Sequence, residues 1–112
     1  MSSDCLFCSI AAGDLAADIV ESSEHAVAFR DINPVAPTHI LVIPKAHIGS
    51  IAEPMPETVL SDMVSLAASV AASEGLADGW RLVSNVGQAA GQSVPHLHFH
   101  VLGGRQLSWP PG

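Results

Sequence analysis

The stretch His96-Leu97-His98-Phe99-His100-Val101-Leu102 decides the fold. Polar and apolar residues alternate through it, the period of a half-buried β-strand. Successive strand side chains point to opposite faces. The three imidazoles therefore line one face, roughly 6–7 Å from one to the next. Leu97, Phe99 and Val101 line the other. The chain holds six histidines, so half of them fall in this one stretch. Neutral imidazoles in a covered site need hydrogen-bond partners. A row of them suits metal binding or proton and phosphoryl chemistry.

Gly91-Gln92-Ser93-Val94 stands immediately before the histidine row. Its backbone N–H groups read either as a plain turn or as an anion cradle at the mouth of the strand. Upstream, His39-Ile40-Leu41-Val42-Ile43 is a nearly continuous apolar run. It predicts a central strand covered on both faces and ended by Pro44. Ile19-Val20 and His25-Ala26-Val27-Ala28-Phe29 predict two short strands joined by a turn, Glu21-Ser22-Ser23-Glu24. Trp80-Arg81-Leu82-Val83-Ser84 predicts another. Two prolines stiffen the loop Asp31-Ile32-Asn33-Pro34-Val35-Ala36-Pro37.

Two helices complete the pattern. Residues 5–12 form a short one with Gly13 as its stop. Residues 57–75 form a long one between Pro56 and Gly75. Val59, Met63, Leu66 and Val70 make one apolar stripe on it, and Leu60, Val64, Ala67 and Ala71 a second. So wide a face suits either deep packing or a sheet on one side and a partner subunit on the other. Strands with one main helix late in the chain predict a single α+β domain over residues 1–112, with a mostly antiparallel sheet.

Composition excludes several classes. The hydrophobic fraction is 48% and charged residues are 13%, a composition that builds a core. Net charge is −7, and Arg30, Lys45, Arg81 and Arg105 are the basic residues. The basic footprint needed for nucleic-acid backbones is missing. Phosphate binding would have to use backbone N–H groups, polar side chains and histidines, which favours a small nucleotide. No run is long enough to span a bilayer. Met1-Ser2-Ser3-Asp4 carries no basic leader segment, so a cytoplasmic protein is expected.

Cys5-Leu6-Phe7-Cys8 contains both cysteines. A disulfide across so short a loop removes little chain entropy. A thioredoxin-like pair needs a preceding strand, and none stands here. Half of a zinc site is the third reading, with two histidines as further ligands. His47, past the central strand, is a candidate ligand or a surface residue. His39 is a capping, surface or site residue, and His25 a structural one.

The histidine row resembles the His-x-His-x-His motif of the histidine-triad (HIT) family. Pro37-Thr38-His39-Ile40-Leu41-Val42-Ile43-Pro44-Lys45, Asn85, Gly91-Gln92-Ser93, Val101-Leu102-Gly103-Gly104-Arg105 and Trp109-Pro110-Pro111-Gly112 resemble its Hint branch, the nucleoside phosphoramidases. The resemblance runs from Cys5 to Gly112. It implies a HIT-like fold: a five-stranded antiparallel sheet, one long helix, a short N-terminal helix and a homodimer. It also implies hydrolysis of nucleoside 5′-phosphoramidates, such as adenosine monophosphoramidate or aminoacyl adenylates, through a nucleotidyl-histidine.

On that resemblance His98 is the nucleophile, while His100 and His39 contact phosphate oxygens. Ser93, Gly91 and Gln92 help hold the phosphoryl group beside Asn85. Asp31 accepts hydrogen bonds from the ribose hydroxyls. Leu6, Phe7, Ile10, Phe29, Ile32 and Leu41 wall the base pocket, and Trp109 lies near it. Bacterial-type members that begin Cys-x-x-Cys hold structural Zn2+, which here implies Cys5, Cys8, His47 and His96. Pro95, Val86 and Ser108 depart from the common pattern. A dinucleoside polyphosphate hydrolase and a non-catalytic nucleotide-binding module are the competing functions.

Overall fold

A computed structural model describes residues 5–112; the leader reading of Met1-Ser2-Ser3-Asp4 lies outside them. Five strands form one antiparallel sheet in the order β1-β2-β3-β5-β4. They are β1 (Ile19–Ser22), β2 (Ala26–Arg30), β3 (Thr38–Pro44), β4 (Trp80–Val83) and β5 (Phe99–Gly103). The helices are α1 (Leu6–Ala11) and α2 (Glu57–Ser73). This is the expected α+β architecture, with β3 central and buried along its whole length. No helix among the described residues is long and apolar enough to cross a membrane.

Strand alternation sorts the side chains into two layers. Ile40 and Val42 of β3 join Leu97, Phe99 and Val101 beneath α2, which contributes Val59, Met63, Leu66, Ala67, Val70 and Ala71. Burying each large apolar side chain stabilises the fold by about 1.5–3 kcal/mol. Leu41 and Ile43 point the other way, into a smaller cluster with Val27, Phe29, Phe7 and Ile10. α1 thus covers the face opposite α2, the face that carries the histidines.

Both helices end in Schellman motifs. Gly75 has φ 76°, and its N–H donates to the Ala72 carbonyl while the Leu76 N–H reaches Ala71. Gly13, at φ 82°, does the same for α1 through bonds to Ile10 and, from Asp14, to Ser9. Glycine adopts this left-handed conformation without the Cβ penalty. At the other end of α2, Asp62 accepts from the Ser23 hydroxyl at 2.7 Å and the His25 N–H at 2.8 Å. That fixes the β1–β2 turn on the helix. Glu21 and Ser22, expected in that turn, extend β1 instead and pair with Ala28 and Val27.

The histidine row departs from expectation in one respect. The β3–β5 ladder stops at Val42 opposite Phe99, so His100 is the triad histidine inside the strand. Pro95 and Pro44 lack the N–H that a longer ladder needs. The Leu97 N–H goes to the Ile48 carbonyl instead, at 2.6 Å. The in–out alternation nonetheless continues: Leu97 is buried with Phe99 under α2, while the His98 ring lies 5.0 Å from that of His100.

Candidate functional site

Three backbone groups settle the tautomers of the site histidines. The His96 carbonyl lies 2.8 Å from His98 Nδ1. A carbonyl only accepts, so His98 carries its proton on Nδ1 and Nε2 keeps its lone pair. The Pro44 carbonyl lies 3.0 Å from His96 Nε2, which places that proton on Nε2 and leaves Nδ1 unprotonated. The Val35 N–H donates to His39 Nδ1 at 3.1 Å, so His39 carries its proton on Nε2. His98 is 7% exposed, and Phe7 packs edge-on against it with ring centroids 5.1 Å apart.

The tautomer of His100 follows from that of His39. His39 Nε2 lies 2.9 Å from His100 Nδ1 and 3.3 Å from Asp31 Oδ2. The His39 N–H is donated to the His100 imidazole, with the Asp31 carboxylate a nearby charge. His100 must then hold its own proton on Nε2, and that atom is buried with no partner. A buried donor without an acceptor costs about 1–3 kcal/mol. It marks the place where a ligand oxygen would be accommodated. Burial, followed by His98 and His39, pushes the His100 pKa down to about 4 despite Asp31. Burial also lowers that of His39, against the opposing pull of Asp31. Both rings are neutral near pH 7.

A second group gathers around His96. Its unprotonated Nδ1 lies 3.2 Å from Cys5 Sγ and 3.5 Å from Cys8 Sγ, and His47 Nδ1 lies 3.2 Å from Cys8 Sγ. All four ligand atoms fall within 4.8 Å of one another. In a tetrahedral zinc site, sulfur and nitrogen ligands stand roughly 3.5 Å apart. The donor types, the spacing and the unprotonated His96 Nδ1 facing the cysteines all fit a metal ion. Burial lowers the His96 pKa, keeping that ring in the neutral form a metal requires. Asp31, His39 and His100 also bring ligand atoms within 4.8 Å. There the Val35 donor forces a proton onto His39 Nε2, which is donated to His100, with Asp31 a nearby charge.

Other expected site residues fall into place unevenly. Gln92 does not reach for a phosphoryl group. Its Oε1 accepts from the Gly87 N–H at 2.9 Å, and its amide donates to the Gly49 and Val94 carbonyls. Its side chain is thereby committed to stapling the loop. Gly91 caps the short 3-10 turn Gln88–Ala90 with φ 90°. Ser93 is exposed and Asn85 half-buried near the start of that loop.

Phe7, Ile10, Phe29 and Leu41 pack on one another in one buried cluster. Leu6 is exposed above them, and Ile32 stands 91% exposed. Trp109 is 81% exposed, next to Ser108, whose carbonyl accepts from Arg81. It contributes no wall within this chain. A cleft of about 530 Å³ beside β4, lined by Asp78, Trp80, Arg81 and Arg105 among others, contains no histidine. The residues missed by sequence reasoning are Val35 and Pro44. They act through main-chain groups, which no side-chain pattern announces.

A HIT domain family model matches residues 12–107. An uncharacterised HIT-like protein of Synechococcus elongatus is 47% identical over the whole of both chains. A 14 kDa zinc-binding protein of Zea mays is 46% identical, covering 96% of this chain and 87% of that protein. The crystal structure of a HIT family hydrolase from Legionella pneumophila superposes with a TM-score of 0.92 at 48% identity. It covers 96% of this chain and 99% of its own. With the histidine row, the sheet order and the family model in agreement, the chain belongs to the HIT family.

Proposed function

We propose that the protein is a hydrolase of the Hint type that cleaves the P–N bond of nucleoside 5′-phosphoramidates. The observation that carries this reading is the 2.8 Å bond from His98 Nδ1–H to the His96 carbonyl. It leaves Nε2 of a neutral, buried imidazole as a nucleophile. The similarity to a structure titled HIT family hydrolase supports the hydrolytic class.

His98 Nε2 attacks the phosphorus, forming a P–N bond to the ring as the bond to the amine breaks. The amine leaves with a proton drawn from solvent. His98 Nδ1–H stays on the His96 carbonyl, which stabilises the charged ring of the nucleotidyl intermediate. Water then attacks phosphorus, releases the nucleoside monophosphate and returns His98 neutral. This divides one difficult displacement into two. The His100 Nε2–H supplies the nearby buried donor for a phosphoryl oxygen. Ser93 and Asn85 border the same site, Asp31 meets the ribose, and Leu6 and Ile32 lie against the base.

Cys5, Cys8, His47 and His96 hold a zinc ion in this reading. The relation to a protein named for zinc binding supports it. Four protein ligands leave no open position, so the ion's contribution is structural. It ties α1 and the loop after β3 to the histidine row. The reading also includes a homodimer. Val64 on α2 and Trp80 and Leu82 on the edge strand β4 are exposed apolar residues suited to a second copy.

Four outcomes follow from these assignments. Wild-type protein turns over a fluorogenic adenosine phosphoramidate, and His98→Ala loses at least 10³-fold in kcat. Full activity in the mutant, or cleavage of dinucleoside polyphosphates alone, sinks the reading. Elemental analysis finds one zinc per chain, lost in Cys5→Ser. Metal-free protein of unchanged melting temperature contradicts the structural role. Light scattering at micromolar concentration gives the dimer mass, and a monomer there rejects the pairing.

The fourth outcome concerns pH. The ordinary histidine pKa is near 6.5, and that of folded His100 is about 4. Between these values the unfolded chain takes up a proton that the folded chain refuses. Stability therefore falls as pH drops from about 6.5 towards 4, and this contribution is fully present above that window. Urea unfolding across the window should show a shallower loss for His100→Asn than for wild type. Equal slopes would contradict the assignment, because the other titrating groups are shared.

A further inference from the structure

We infer that Gln92 is a positioning residue: its side-chain amide stands in for the missing strand ladder and holds the His96–Leu97 peptide, whose carbonyl keeps His98 Nε2 free. The effect on turnover rests on the phosphoramidase reading; the effect on the main chain does not.

The need arises where the ladder halts. The last β3–β5 pair is Val42 with Phe99, and Pro95 has no N–H to give. His96 and Leu97 are both buried, so their N–H groups must find acceptors elsewhere. The His96 N–H goes to the Val94 carbonyl at 2.9 Å, and the Leu97 N–H to the Ile48 carbonyl at 2.6 Å. Neither acceptor belongs to a strand. Gln92 joins the two. Its Nε2 donates to the Val94 carbonyl at 3.1 Å and, at 2.8 Å, to the carbonyl of Gly49, the residue after Ile48. Gln92 is itself pinned to Gly87 in both directions. Its N–H donates to the Gly87 carbonyl at 3.1 Å, and its Oε1 accepts from the Gly87 N–H at 2.9 Å. Both amide protons are thus used within the chain, and neither is left for a phosphate oxygen, the contact that sequence resemblance gives this residue.

The His96–Leu97 peptide carries this restraint to the chemistry. A peptide unit is planar, so fixing the Leu97 N–H also fixes the direction of the His96 carbonyl. That carbonyl accepts the His98 Nδ1–H at 2.8 Å. Gln92 therefore acts on the main chain that orients the nucleophile, and not on the substrate. An amide fits the position because it faces two carbonyls and one N–H. Methionine matches its length without the polar atoms. Glutamate keeps an oxygen for the Gly87 N–H but sets its other oxygen against the Gly49 and Val94 carbonyls.

Gln92→Met and Gln92→Glu separate this role from a phosphate contact. In ligand-free protein, amide exchange at Leu97 should quicken by about 10-fold or more in both variants, a local opening, while Ile40 in the middle of β3 exchanges as in wild type. Ring ¹⁵N NMR should show His98 as a single Nδ1-protonated tautomer in wild type and as a mixture in the variants. On adenosine phosphoramidate kcat should fall about 10–100-fold, the size typical of lost support around a histidine, with the affinity for adenosine monophosphate unchanged. Leu97 exchange and His98 tautomer as in wild type overturn the inference, and a loss of nucleotide affinity beside them returns Gln92 to the phosphate. Should a variant unfold, shown by lost protection at Ile40, the wild type decides. Its Gln92 side-chain amide protons should exchange slowly with and without adenosine monophosphate, and freely exchanging protons overturn the inference. If wild type does not cleave the phosphoramidate, that reading fails by itself, and the exchange and tautomer results still decide the role of Gln92.

Discussion

The bond from His98 Nδ1–H to the His96 carbonyl is the constraint on which the site depends. An imidazole has two nitrogens of similar basicity, and a nucleophile needs the same one free in every molecule. A main-chain carbonyl achieves this without adding a charge that would need its own partner. The device recurs nearby. The Pro44 carbonyl sets His96 and the Val35 N–H sets His39. Backbone groups in and beside a sheet are held by the ladder, so each tautomer inherits the rigidity of the fold. The halted ladder at Phe99 is part of the same arrangement. It frees the residues before β5 from strand pairing, so the Pro44 carbonyl can receive a ring.

Neutral donors explain how a chain of net charge −7 can accommodate an anion. The argument needs no lysine or arginine at the site. Burial holds His100 and His39 uncharged; the His39 N–H is spent on His100 Nδ1, and the His100 ring presents one oriented N–H. An oriented donor in a dry site interacts more strongly than it would in water, and it needs no reorganisation when charge moves onto phosphoryl oxygens. On the proposed function, the acidic surface disfavours polynucleotides without obstructing a single nucleotide.

Much of this was legible in the residues. Alternation around His98 gave the two faces, the apolar run at Ile40 gave the central strand, and Gly75 marked the end of α2. Cys5, Cys8, His47 and His96 were placed together by resemblance, and the fold brings their ligand atoms within reach of one another. The rest depends on contacts that residue type does not announce. Gln92 has a phosphate role only by resemblance, and its amide serves three loop partners, which depends on where Gly49 and Gly87 come to lie. Phe7 and Phe29 have a pocket role by the same resemblance, and the fold sets them edge-on against each other. The tautomers were invisible because main-chain partners leave no mark on residue type.

His96 joins the two halves of the site, and three of its atoms serve different partners. Nδ1 faces the cysteines, Nε2–H is held by Pro44, and its carbonyl holds His98. Phe7 stands between the same two residues, edge-on to both rings at 5.9 and 5.1 Å. It is carried by the short helix that Cys5 caps. Six residues are too few for a helix to persist unaided, so α1 stays in place through its packing and its end groups. Whatever fixes Cys5 and Cys8 against His96 also fixes Phe7 against His98. Histidines that look equivalent in the sequence thus divide the work on the proposed function: the first anchors, the second reacts, and the third presents a proton.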